Sequence, residues 1–165
     1  MQRKPPKQPT RPAKIVSGGQ TGVDRAALDA AIALGIPHGG WCPKGRLAED
    51  GTIPPQYRLV ETDLPDYAER TERNVLDSDA TLILCRGQPT GGTELTRRLA
   101  RRHGKPHRVV DLDQPIDRPA IRRWLARHGT GTLNVAGPRE SQCPGIHAQA
   151  AEFLRELLSG KPARD

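Results

Sequence analysis

The chain of 165 residues carries 26 Lys and Arg against 19 Asp and Glu, a formal net charge of +7, and only two Trp, two Tyr and one Phe. That length suits about one domain, whose core has to be built from Leu, Ile, Val and Ala. No apolar run is long enough to span a bilayer and no hydrophobic segment follows the basic N-terminus, so the expected location is the cytoplasm.

Residues 1–12 are polar and hold Pro5, Pro6, Pro9 and Pro12, with Arg3, Lys4, Lys7 and Arg11 unmatched by any acid. They read as a disordered basic leader, and 13–160 as a single ligand-binding domain. Ile15–Ser17 is a β-branched strand running into Gly18-Gly19-Gln20-Thr21-Gly22, and Gly22–Leu34 an alanine-rich helix ended by Gly35. A short strand over Ile36–Trp41, a long Gly- and Pro-rich loop over Cys42–Gln56 and a strand over Arg58–Glu61 come next. Tyr67–Leu76 has helical periodicity. Ala80–Cys85 is apolar throughout, the mark of a strand buried on both faces. A second glycine loop (Gly87–Gly92) opens a basic helix over Thr93–His103. Arg108–Leu112, Ala120–His128, Thr132–Ala136 and His147–Leu158 continue the alternation as strand, helix, strand and helix.

Strands separated by helices of this length imply parallel crossovers, hence an α/β fold: a three-layer Rossmann-like parallel sheet with helices on both faces. Ligands of such sheets bind outside the carboxyl ends of the strands. Four loops emerge there, and their convergence is the physical argument for a site. In the first, Gly18, Gly19 and Gly22 leave backbone N–H groups uncovered at a helix N-terminus, with Gln20 and Thr21 as side-chain donors, a suitable cradle for a phosphate or other oxyanion. Asp24 in the first helical turn either favours the helix dipole, or hydrogen-bonds a sugar hydroxyl or orients the loop.

The third loop repeats the logic with Thr90, Gly91, Gly92 and Thr93. Glu94 after it is either a first-turn acid or, in a pocket, a general base. The second loop offers Trp41 for stacking on a flat heterocycle or for ordinary packing, and Lys44 and Arg46 to close over an anion. The fourth offers Arg139 for a bidentate phosphate contact. Arg70, Arg73 and Asn74 share one helix, with Arg70 and Asn74 four apart on one face. Cys42, Cys85 and Cys143 are odd in number and far apart, against a disulfide framework, and no His/Cys set has zinc spacing, so no metal site is assigned.

Taken together, Ser17–Asp29, Gly40–Arg46 with Glu49-Asp50-Gly51, Thr71–Val75, Thr90–Thr93 and Asn134–Arg139 make the chain similar to the putative molybdenum carrier family, over nearly all of Lys14–Leu158. The resemblance implies a Rossmann-like fold related to the lysine-decarboxylase-like phosphoribohydrolases and to DNA-processing proteins. It also implies the molybdenum cofactor, a phosphate-bearing pterin (molybdopterin), as a candidate ligand. One departure matters. The phosphoribohydrolases carry their glutamate three residues after the threonine of a Pro-Gly-Gly-x-Gly-Thr loop, whereas here Glu94 follows Thr93 directly and the third position is Thr96.

Three functions follow from these residues. The first is a binding or carrier protein for a phosphorylated heterocycle, molybdenum cofactor or nucleotide. The second is a nucleotide N-glycosidase with Glu94 or Asp24 as acid–base. The third is a nucleic-acid binder using the leader and the basic group from Arg97 to Arg108. The expected partners are a small phosphorylated ligand and further copies of the chain as a homo-oligomer, with nucleic acid less favoured and no membrane.

Overall fold

The computed structural model describes residues 11–159. Its elements in chain order are β1 (Lys14–Val16), α1 (Val23–Leu34), β2 (His38–Gly39), β3 (Trp41–Cys42), β4 (Leu47–Ala48), β5 (Gly51–Thr52), β6 (Val60–Glu61), α2 (Tyr67–Leu76), β7 (Ala80–Cys85), α3 (Gly91–Arg102), β8 (His107–Asp111), α4 (Arg118–His128), β9 (Thr132–Ala136) and α5 (Ile146–Leu158). Five strands form one parallel sheet in the order β2-β1-β9-β7-β8. With helices on both sides of it this is the expected three-layer α/β fold. Among the described residues no helix is long and apolar enough to cross a membrane.

The two faces of the sheet are unequal. Leu82, Leu84, Leu133, Val135 and Val110 pack against α1, α4 and α5 in one large cluster that includes Ala26, Ala27, Ala30, Ile121, Leu125, Phe153 and Leu154. Alanines along α1 let that helix lie close to the sheet and to α5. On the other face Val75 of α2 with Leu99 and Ala100 of α3 form a small buried cluster, flanked by Leu95. Side chains alternate along a strand, so Thr81 and Asn134 point to this second face. They pair there in register, with Asn134 Nδ2 donating to Thr81 Oγ1 at 3.3 Å.

Two expectations change. The strand over Ile36–Trp41 is two strands. Gly40 bends the chain at φ 127°, where a Cβ would lie 2.3 Å from the Ser17 carbonyl oxygen, and β3 leaves the main sheet to pair with β6. The loop over Cys42–Gln56 is not plain loop either. β4 and β5 make an antiparallel hairpin within it, seated on a small cluster of Leu28, Cys42, Ile53 and Tyr57. Of the leader expected over 1–12, residues 1–10 lie outside the described residues. Arg11 and Pro12 belong to the domain: Pro12 is buried, and the Arg11 guanidinium donates to the carbonyls of Leu34 (3.2 Å) and Leu158 (3.3 Å) at the ends of α1 and α5.

Candidate functional site

A cleft of about 100 Å³ opens where β1, β9 and β7 end. The chain runs from β1 to one edge of the sheet and from β7 to the other, so the carboxyl ends diverge at this point and leave a crevice. Loop one supplies Gly18, Gln20 and Asp24, α2 supplies Tyr67, Arg70 and Asn74, α3 supplies Gly92 and Thr93, and the end of β9 supplies Asn134 and Arg139.

The Gln20 side chain is held by its oxygen. Oε1 accepts from the backbone N–H of Thr21 (3.0 Å) and of Glu49 (2.9 Å), which fixes the carboxamide's orientation. Its Nε2 is then a buried donor with no partner among the described residues, on a side chain only 6% exposed. A buried amide left unsatisfied costs about 1–3 kcal/mol, so this donor is a specific deficit in a residue that lines the cleft.

Asp24 is buried as well. Its Oδ2 accepts from the Gln20 N–H (3.2 Å) and from Arg70 Nη1 (3.0 Å). Burial pushes its carboxyl above the usual carboxylate range, against the opposing pull of the Arg70 charge and of hydrogen bonds from Gln20 and Ser17. Arg70 lies flat against Gly18, where a Cβ would sit 1.8 Å from its Nη1, and over the Tyr67 ring at 5.4 Å. Arg139 reaches the same ring from loop four at 5.8 Å. Two guanidiniums therefore flank one aromatic ring at the cleft wall. At the far wall, α3 begins without a side-chain cap. A Cβ on Gly92 would meet nothing within 4 Å, and the buried Thr93 hydroxyl makes no hydrogen bond among the described residues. Uncapped N–H groups, open glycine and a free hydroxyl are what an oxyanion needs from a helix start.

Other candidates lie elsewhere, each for a physical reason. Gly19, at φ 78°, has its open side filled by Ile53 and Leu59, so its freedom serves packing of loop two. Gly22 approaches the Pro138 carbonyl, which would stand 2.3 Å from a Cβ. The Thr21 hydroxyl is spent on Glu49 and on the Glu140 N–H. Trp41 does not line the cleft: its Nε1 donates to Asp77 (2.7 Å) and the Arg73 guanidinium stacks on its ring at 4.9 Å, which also occupies Arg73. Asn74 does line the cleft, but its amide is spent on the Trp41 backbone, accepting from the N–H and donating to the carbonyl. Arg46 donates to the carbonyls of Ile53, Pro54 and Tyr57, and Lys44 stays exposed. Thr90 lines a smaller neighbouring chamber of about 60 Å³ together with Cys85 and Cys143, and Gly91, at φ 52°, lines neither. Glu94 also faces away: Arg97 binds it bidentately at 2.6 and 2.7 Å, and these bonds hold its carboxyl below the ordinary range.

Arg70 is the cation that α2 turns into the cleft in place of Arg73. Its i,i+4 spacing to Asn74 is the signal that places it there. Glu49 and Asp50 have a role that no local pattern reveals. The Glu49 carboxylate accepts from the Ser141 N–H and hydroxyl and from Thr21, and Asp50 pairs bidentately with Arg25 at 2.5 and 2.7 Å while Arg25 Nε holds the Gly19 carbonyl. The hairpin thus fastens loops one and four together behind the cleft.

Comparison with known proteins identifies the family. Residues 15–158 match the model of the circularly permutated YpsA SLOG family, and the chain belongs to that family. A crystal structure of the putative molybdenum carrier protein from Syntrophus aciditrophicus SB is 47% identical and superposes with a TM-score of 0.86, covering 92% of this chain and 97% of that one. No curated protein matches.

Proposed function

We propose that this member of the family is a binding or carrier protein for a small phosphorylated heterocycle, the class to which the molybdenum cofactor and nucleotides belong. The observation that carries the reading is the orphaned Gln20 Nε2, a buried donor in a cleft with Arg70, Arg139 and the uncapped start of α3. A phosphate supplies acceptor oxygens for all four. A volume of about 100 Å³ holds an anionic group, and the ring of the ligand then lies in the open mouth beside Tyr67 and Arg139. For molybdenum cofactor as cargo, these residues fit the phosphate of the pterin. The name of the Syntrophus protein supports the same class of ligand.

The test has two parts. Native mass spectrometry of gently purified protein is expected to show a copurified pterin phosphate or nucleotide. Calorimetry with guanosine monophosphate, a pterin phosphate and inorganic phosphate is expected to show binding that Gln20→Leu weakens about 10- to 100-fold, the factor that an unmet hydrogen bond is worth. No copurified compound and no binding of any of the three probes overturns the reading. Asp24 supports a second one, because a buried carboxyl raised by burial inside the cleft has the properties of a general acid. Multiple-turnover release of free base from a nucleotide by the wild type, lost in Asp24→Asn, replaces carrier by N-glycosidase.

A further inference from the structure

The positive charge of this chain is segregated. Residues 91–128, covering α3, β8 and α4, hold ten Arg and Lys against four Asp and Glu, whereas residues 15–90 hold seven against eleven. β8 is an edge strand of the parallel sheet, with α3 leading into it on one face and α4 leading out on the other. Helices that connect parallel neighbours run opposite to the strands. The last turn of α3 therefore meets the beginning of β8 and that of α4 the beginning of β9, on opposite faces of the sheet but at the same end of it, opposite the cleft.

Arg101 and Arg102 at the end of α3 and Arg123 and Arg127 on α4 are exposed and have no acidic partner among the described residues, and the half-buried Arg108 lies at the start of β8. Nearby acids are already engaged: Glu72 by His103, Asp79 by the Thr132 N–H, and Glu156 by Arg118. Cations in a last helical turn favour the helix dipole, which accounts for Arg102 and Arg127. It does not account for Arg123 in mid-helix or Arg108 on a strand.

We propose that this end of the β8 edge binds the phosphate backbone of a nucleic-acid duplex, independently of the cleft. The surface fits a backbone better than bases or a bilayer. Its one Trp, Trp124, is half-buried against the main core with its ring beside His128, which leaves little for stacking on unpaired bases. Val109, at 37% exposed, is the sole large apolar side chain exposed on α3, β8 and α4, too little to anchor a lipid surface. Arginine binding to phosphates releases counterions, so affinity falls with salt and is insensitive to sequence.

The experiment is fluorescence anisotropy of the full-length protein with a labelled 20-base-pair DNA duplex between 50 and 200 mM salt. The charge-reversal pairs Arg101→Glu/Arg102→Glu and Arg123→Glu/Arg127→Glu are each expected to weaken binding at least about tenfold, with a salt slope shallower by about 0.9 for each phosphate no longer neutralised. The neutral pairs Arg101→Gln/Arg102→Gln and Arg123→Gln/Arg127→Gln guard against misfolding and are expected to show the same direction with smaller losses. Unchanged duplex affinity in all four variants overturns the proposal, as does stronger binding to phosphatidylserine vesicles than to the duplex. Guanosine monophosphate binding in the same variants reports on the cleft alone, so the two readings fail separately.

Discussion

Gly92 and Gly137 both border the cleft, yet a side chain would do opposite things at the two. At Gly137 a Cβ would stand 2.2 Å from the Leu84 carbonyl oxygen and 2.6 Å from Val23, so Gly137→Ala has to move backbone and is expected to cost about 2–4 kcal/mol of stability. At Gly92 a Cβ meets nothing, and the residue has ordinary helical geometry. Gly92→Ala is expected to stabilise the fold by about 0.5–1 kcal/mol through the helix preference of alanine, while weakening ligand binding by filling the cleft. Denaturant titration and calorimetry on the two variants check both expectations, and a Gly92→Ala protein that binds unchanged takes the start of α3 out of the site. The same contrast explains which site residues were legible. Glycine, glutamine and threonine at strand ends could be read as donors from their spacing. Whether a donor remains free depends on tertiary partners: Arg46 ends on three carbonyls, Glu94 on Arg97 and Trp41 between Asp77 and Arg73.

At the scale of elements, α2, β7 and β9 have the bounds that periodicity and apolar runs imply. The departures lie in residues 36–57, where very short strands hold little hydrophobic pattern and where a bend at Gly40 answers to the neighbouring Ser17 backbone. The β4–β5 hairpin, besides its seat on the apolar cluster, is tied to loops one and four by two carboxylates. Hydrogen bonds from Arg25 lower the Asp50 carboxyl. For Glu49, burial raises the carboxyl, but hydrogen bonds from Ser141 and Thr21, helped by the Arg139 charge, outweigh it and leave it below the usual range. An acid lowered on folding stabilises the fold above its unfolded value of about 4, and the contribution disappears as pH falls through the lower folded value. The wild type is therefore expected to lose melting temperature between about pH 5 and pH 3 more steeply than Glu49→Gln/Asp50→Asn. Parallel melting curves for the two proteins would remove these carboxylates from the clasp.

Across the described molecule, the candidate cleft and the unpaired arginines of α3 and α4 occupy opposite ends. The cleft gathers two guanidiniums and an orphaned amide at the carboxyl ends of the strands, and the exposed arginines of α3 and α4 lie at the other end. The fold was legible because alternating strands and helices admit few topologies. The polarity of charge was only half legible: the run from Arg97 to Arg108 stands out in the chain, but its union with α4 appears only when the β8 edge is built.

The imbalance between the two faces of the sheet also sets how the protein breathes. One helical layer is welded down by the large aliphatic cluster, while α2 and α3 share a buried cluster of three residues over a floor in which Thr81 and Asn134 interrupt Val16 and Ile83. Local opening takes the route with least apolar area to expose. The α2–α3 layer should therefore lift as a unit while α1 and α5 stay closed, carrying Arg70 and Thr93 away from loop one and widening the cleft without disturbing the main core. Native-state hydrogen exchange is expected to show amides of α2 and α3 exchanging well before those of α1 and α5, with the gap narrowing when a ligand bridges the layers. Equal protection in all four helices would mean that the cleft is rigid and admits only what already fits.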